Sequence, residues 1–443
     1  KLVQFLPPKG IGLVLDVAGV VKGGGYLYID AERGEYAGAL ELKFLNFSIK
    51  ALGLLSTKRP DGSEGWSLLL FVFGQFNIHI YAGIFWTGLG GMIGLHHRAD
   101  VDALSAGIKT GALDDILFPA NPVADAPRII NRYRTLFPAE PNNFLIGPMA
   151  EFSFSTPPIV YFRLGLIFDI RNALGGGPAA LSKVLLLGQV LVQVPPKDTG
   201  APAVVKLLID VVGFYDADTQ FLLIRARLRD SGIGIAPAKI DVGGELLIAV
   251  QFGSEGSFVV SAGGFHPRYD GLPARVPKDL DRLKVGFNIG IVKMTIEAYV
   301  AVTPNSIQVG VKASIKADFA VAGIEASLSI DALIDTARGS FRVDVEFRAK
   351  VKAFGRTLAA VKVTGTLEGP GAWRLKGEFS FSILWWDKTV PFDERWGTPV
   401  AAADSGTADL AQALRAELDN PDNLTVEAPV ASPLALFAAR GEL

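Results

Sequence analysis

The side chains able to do chemistry are few. Four histidines and no cysteine occur in 443 residues, which excludes disulfides, thiolate metal sites and a cysteine nucleophile. The densest polar cluster is His96-His97-Arg98 followed by Asp100-Val101-Asp102, a composition that would suit a metal ion or a sugar nucleotide. Its spacing does not. His96 and His97 are adjacent, so in a strand they face opposite ways, and Asp100 or Asp102 suits the cap of a helix running through Lys109. A second polar stretch, Phe265-His266-Pro267-Arg268-Tyr269-Asp270, offers a histidine for acid–base work with Asp270 as its local acid. A packed loop in which His266 and Arg268 serve as hydrogen-bonding groups is the simpler expectation. Gly88-Leu89-Gly90-Gly91-Met92-Ile93-Gly94 has the glycine content of a dinucleotide loop but misses its spacing, and no strand–helix–strand unit follows. These glycines are expected to turn the chain from a sheet into helices. The sequence has no nucleophile elbow, P-loop or H-E-x-x-H. No metal or cofactor is expected, and a non-enzymatic role is favoured.

The formal net charge is −2, with 49% hydrophobic and 20% charged residues. That balance excludes a disordered chain and removes the electrostatic case for nucleic acid or an anionic membrane as the main partner. No signal peptide is visible at Lys1, so the chain is read as a mature form or a piece of a longer one, and the compartment stays open. The longest stretch without Asp, Glu, Lys or Arg includes Trp66 to Leu95. Gln75, Asn77 and His79 interrupt it, glycine recurs, and Phe71, Val72, Phe73, Ile78 and Ile80 are strand formers, so it predicts a buried hairpin and no integral membrane insertion.

Strict alternation dominates the C-terminal third. Ile307, Val309, Val311, Ala313, Ile315 and Ala317 share one parity, with Gln308, Lys312, Ser314 and Lys316 on the other. The pattern returns in Ile324–Ile330, Phe341–Val351 and Trp373–Ile383, separated by Pro304-Asn305, Ala322-Gly323 and Gly369-Pro370-Gly371. An antiparallel meander with an oily and a wet face follows. Strands are also expected from Gly12 to Trp86 and from Met149 to Gly263. Between them, Val101 to Phe137 reads as helical, with Pro127 opening a helix that carries Ile129, Ile130, Tyr133 and Leu136. Trp385-Trp386 and Trp396 are expected to cap the sheet end. The predicted architecture is mainly β, with long-stranded antiparallel meander sheets and a helical insert at about 100–138. It forms one unit over 1–397, followed by a helix near Thr407–Leu418 and a linker tail to 443. Groove, sandwich and open barrel all remain open.

The segments Gly23-Gly24-Gly25-Tyr26-Leu27, Gly94-Leu95-His96-His97-Arg98, Gly263-Gly264-Phe265-His266-Pro267-Arg268-Tyr269 and Phe392-Asp393 with Trp396-Gly397, in this order, resemble a family of large, multidomain bacterial proteins known only as a domain of unknown function. The resemblance implies a bacterial, sheet-rich, multidomain protein and carries no chemistry with it.

The function expected is a non-enzymatic β-scaffold that binds an extended hydrophobic ligand, a lipid or acyl chain, along the apolar face. Ala313, Ala317, Ala326 and Ala349 leave room there, and Phe319, Phe347 and Phe381 supply contact area. The Val101–Phe137 helices are expected to close part of this groove. The alternative is a structural or assembly module of a secreted or injected bacterial complex that meets a protein partner. An outer-membrane barrel and a hydrolase built on the His96 or His266 loop rank lower.

Overall fold

The computed structural model of the chain describes residues 10–398, apart from 18–20, 45–46, 60–61, 236–237 and 254–255. The expected tail helix lies outside the described residues. Alternation becomes strand throughout. The first group is β1 (Gly10–Val17), β2 (Val21–Asp30), β3 (Glu35–Phe44), β4 (Phe47–Lys58), β5 (Glu64–Tyr81) and β6 (Ile84–His97). After the helical insert come β7 (Ala139–Phe154), β8 (Val160–Arg171), β9 (Ala180–Val194), β10 (Val205–Asp216), β11 (Phe221–Ile233), β12 (Ala238–Gln251) and β13 (Ser257–Ala262). The last group is β14 (Leu283–Ile289), β15 (Val292–Thr303), β16 (Ser306–Asp318), β17 (Ala322–Asp335), β18 (Ser340–Ala353), β19 (Arg356–Gly369), β20 (Trp373–Ile383) and β21 (Trp386–Trp396).

These strands form one sheet in which each pairs antiparallel with its sequence neighbours. A single departure occurs where β13 and β14 both pair with β12 and β15, so together they occupy one strand position. Among the described residues no pairing joins β1 to β21. The architecture is therefore one open meander, neither a two-sheet sandwich nor a closed barrel.

The insert consists of α1 (Val101–Gly107), α2 (Leu113–Ile116) and α3 (Ala126–Leu136). Asp100 caps α1 by accepting the Ala103 amide at 3.0 Å, as its position predicted. Ile129, Ile130, Tyr133 and Leu136 fall on one side of α3 and are buried. Tyr133 stacks on Phe71 with ring centroids 4.2 Å apart, and Phe118 meets Phe73 at 5.2 Å. The insert thus sits on the face of the sheet that carries Phe71 and Phe73, and its apolar side makes the core there.

The glycines of Gly88–Gly94 lie within β6 and do not turn the chain into the insert. Gly88 makes room for it, since a Cβ there would lie 2.7 Å from the Phe118 ring, and Gly90 makes room for Phe73 of β5, which a Cβ would approach to 2.6 Å. Gly88→Val is expected to lower the free energy of unfolding by roughly 1–3 kcal/mol through overpacking. A denaturation midpoint equal to that of the wild type would contradict this packing.

An open apolar face and a cross-linked polar face

Pairing register separates the two faces. One directly opposed row runs from Phe73 through Gly90, Met149, Gly165, Leu187, Val212 and Arg225 to Leu247, Ser261, Ala301 and Gln308. This is the face under the insert. The neighbouring row on the opposite face passes Leu42, Ile49, Gly74, Leu89, Ala150, Leu164, Gly188, Val211, Ala226, Leu246, Ala262, Val300, Val309, Ala332, Val343, Leu367 and Leu375, and it meets its first charge at Glu394.

Among the described residues nothing covers that second face. In β16, Val309 and Val311 are 49% and 43% exposed, whereas Gln308, on the parity that reads as wet, is 0% exposed. The same holds in β17 and β18, where Leu328, Ile330, Val345, Phe347 and Val351 are exposed. Ala313, Ala326, Ala349, Ala317, Phe347 and Phe381 all share this face by register. Phe319, just past the end of β16, stands exposed in the turn beyond them. Six of the seven expected ligand residues are thus brought onto one surface, with the seventh at its margin. The helices do not close it, because their own apolar sides are spent on Phe71, Phe73 and their neighbours across the sheet.

On the covered face the sheet and the insert are tied by ion pairs. Arg225 and Glu245 are 2% and 0% exposed, with Nη2 2.6 Å from Oε2, and Arg225 Nη1 also donates to the Ser105 carbonyl of α1 at 3.2 Å. Arg227 bridges Glu245 and Asp281 and donates to the Lys109 carbonyl. Arg229 Nε lies 2.5 Å from Asp210, and its Nη2 lies 2.7 Å from Asp114 of α2. From there Gln189 connects Asp210 and Asp114 to Arg163 and Glu151. Burial pushes the Asp210 carboxyl up, against the pull of Arg229 and Gln189. In α2, Asp115 is buried between Arg128 at 2.6 Å and Arg132 at 2.8 Å. Each of these carboxylates is held by cations or amides. They fix the insert to the sheet, and Asp114 and Asp281 stay part-exposed beside a cleft of about 680 Å³ that Lys109, Arg227 and Arg229 also line.

A signal for these residues existed in the sequence. Ile224-Arg225-Ala226-Arg227-Leu228-Arg229 alternates with the arginines on one parity, but their partners lie 19 to 54 residues away in neighbouring strands and the loop before β14, and over a hundred away in the insert, beyond any local spacing.

The histidine loops resolve into structure. His96 sits in the left-handed region at the end of β6, where its Nδ1 accepts the Asn142 amide at 2.9 Å and its ring lies against Trp66. His97 is buried, with Nδ1 2.7 Å from the Phe137 carbonyl and Nε2 without a partner. Asp100 caps α1 and Asp102 is exposed in its first turn, so the cluster converges on no common point. His266 is buried over the covered face of β16 to β18. Its amide donates to Gln308 Oε1 at 2.8 Å, its Nδ1 accepts the Arg268 amide at 3.2 Å, and its Nε2 stands 3.7 Å from Asp344 beside a cleft of about 260 Å³. Arg268 is mostly exposed, 3.8 Å from Asp344. Among the described residues no group of three or more His, Asp or Glu is placed to hold a metal ion, and no helix is long and apolar enough to cross a membrane.

Burial pushes the His97 and His266 imidazoles down from their usual value. The native state therefore takes up protons at these rings less readily than the unfolded chain, whose imidazoles titrate near pH 6.5. Stability accordingly falls as pH drops below about 6.5, by at most ~1.4 kcal/mol per pH unit for each group. His97→Gln is expected to flatten that slope in denaturation midpoints read between pH 7 and the low 5s (about two units,). An unchanged slope would contradict the assignment.

The tryptophans at the sheet end do not cap it. Trp385 is 88% exposed at the β20–β21 turn, while Trp373 and Trp396 stack on each other at the other end of those strands.

The chain matches a family of unknown function, DUF6603, over residues 1–439. It belongs to that family, whose span runs past Gly397 into the segment read as a tail. No curated protein and no solved structure matches the chain.

Proposed function

We propose that the protein binds the hydrocarbon chains of lipids on the open face of its sheet, as a non-enzymatic scaffold. The observation that carries this reading is the exposure of a face whose paired rows stay apolar from β2 to β20. Eighteen strand positions about 4.8 Å apart and strands of about 40 Å give it a plan area of roughly 3,000–4,000 Å². Monomeric soluble proteins rarely leave more than ~300–600 Å² of contiguous apolar surface bare. Obligate dimers bury ~2,000–5,000 Å² in total, about half on each partner, so a second copy would leave much of this face wet. Acyl chains suit it better. They need no hydrogen-bond partners, each methylene removed from water contributes ~0.8 kcal/mol, and the face offers none but the occasional tyrosine or tryptophan polar atom.

Mass spectrometry of organic extracts of the purified protein tests the reading. Co-purifying lipid, together with saturable uptake of a fluorescent fatty acid, is the expected result. Clean extracts and no uptake would end it and leave the face to a protein partner, as an assembly module requires.

A further inference from the structure

Antiparallel strands send successive hairpin turns alternately to the two ends of the sheet, and the two ends differ. At one end lie Ala31–Gly34, Asp216–Gln220, Pro304-Asn305 and Thr336–Gly339, polar turns of ordinary composition. At the other, the turns present Tyr81, Ile291, Phe319, Val321, Phe354 and Trp385, with Tyr81 76%, Phe354 82% and Trp385 88% exposed. A turn needs glycine or a polar residue to close. It does not need an aromatic side chain in water, and among the described residues the three most exposed aromatics stand at this end, whereas Trp66, Phe252 and Trp396 toward the other end are only 51%, 47% and 49% exposed. From β14 to β21 the last residues before and after these turns carry Lys293, Lys316, Lys350, Lys352, Arg356 and Lys388 against Asp318, Glu325 and Asp387, six cations to three anions. Lys316 pairs with Asp318 and Lys352 with Glu325, which leaves an excess of positive charge directly behind the apolar tips.

Building on the acyl-chain reading, we propose that this rim is a membrane-docking edge: the hairpin tips enter the interfacial layer of an anionic bilayer, and the open face continues from it as the path along which acyl chains leave the membrane. Aromatic side chains prefer the bilayer interface, and lysines a few residues behind them reach anionic headgroups. Membrane edge and lipid face are continuous, because Ile289, Val351, Ile383 and Trp386 belong to both.

The test uses the full chain and protein-free vesicles of phosphatidylcholine, with and without phosphatidylglycerol. The wild type is expected to float with the phosphatidylglycerol vesicles and more weakly with phosphatidylcholine alone. Phe354→Ser combined with Trp385→Ser should weaken flotation by about tenfold or more and leave uptake of a monomeric fluorescent fatty acid unchanged, since neither residue lies within the face. Lys350→Ala with Arg356→Ala should remove the preference for phosphatidylglycerol. Fatty-acid uptake by a wild type that does not float, or flotation unaltered by the rim variants, overturns the docking edge while the acyl-chain reading stands. Flotation lost with the rim variants, in a protein that takes up no fatty acid, upholds the edge and ends the acyl-chain reading instead. Capture only by native membranes that still carry their proteins assigns the rim to a protein receptor and overturns the proposal.

Discussion

Arg225→Ala is expected to lower the free energy of unfolding by roughly 3–5 kcal/mol. The guanidinium is buried between Glu245 of β12 and the Ser105 carbonyl of α1. Truncating it strands a fully buried carboxylate, which keeps only Arg227 at 3.2 Å and the Asp281 amide at 3.3 Å. Desolvation of that charge, more than loss of the pair's own attraction, sets the magnitude. Replacing both partners together, Arg225→Met with Glu245→Met, should therefore cost far less than the single change. Chemical denaturation of the two single variants and the double variant decides this. A single variant within about 1 kcal/mol of the wild type would mean that α1 is not anchored through this pair.

The second large effect concerns ligand and not stability. Leu328→Lys and Val345→Asp place charge in the middle of the open face, on side chains 42% and 37% exposed. Stability should stay within about 0.5 kcal/mol, as for ordinary surface changes. Fatty-acid uptake should fall by at least about tenfold, because a buried, unpaired charge opposes every methylene laid across it. Ala313→Trp and Ala349→Trp are expected to be tolerated equally well, since none of the described residues lies over either side chain. In a dry core the same change would cost roughly 1–3 kcal/mol. Marked destabilisation by these substitutions, in a protein that takes up no lipid, would show that the face is covered by something other than lipid.

Much of this architecture is legible in the sequence, because period-two alternation is a local signal. Ile307 to Ala317 and Phe341 to Val351 are strands with the expected parity, and Pro127 opens a helix whose buried residues are those its spacing predicts. Local pattern cannot say which face another element covers. The parity of Ser306 and Gln308 reads as wet and is buried, while Val309 and Val311, on the oily parity, are exposed, because the sheet and the 263–282 loop meet on the polar side. Long-range pairing hid the rest. Arg225, Arg227 and Arg229 find their partners across strands and in the insert, and Gly88 and Gly90 owe their place to Phe118 and Phe73. Trp385 departs from its expected place for a related reason: an aromatic beside a turn suggests packing, and nothing local reveals that a hairpin tip stands 88% exposed.

The absence of cysteine permits the most direct test of which face binds lipid. Ile330→Cys and Ser329→Cys place single thiols on adjacent residues of β17 that point to opposite faces, Ile330 opposed to Val311 and Val345, Ser329 to Lys312 and Glu346. Each variant is labelled with an environment-sensitive fluorophore and titrated with a fatty acid that carries a nitroxide quencher on its chain. Saturable quenching at position 330, with position 329 left bright, is the expected result. Equal quenching at both positions, or quenching at 329 alone, would contradict an open face that takes up acyl chains.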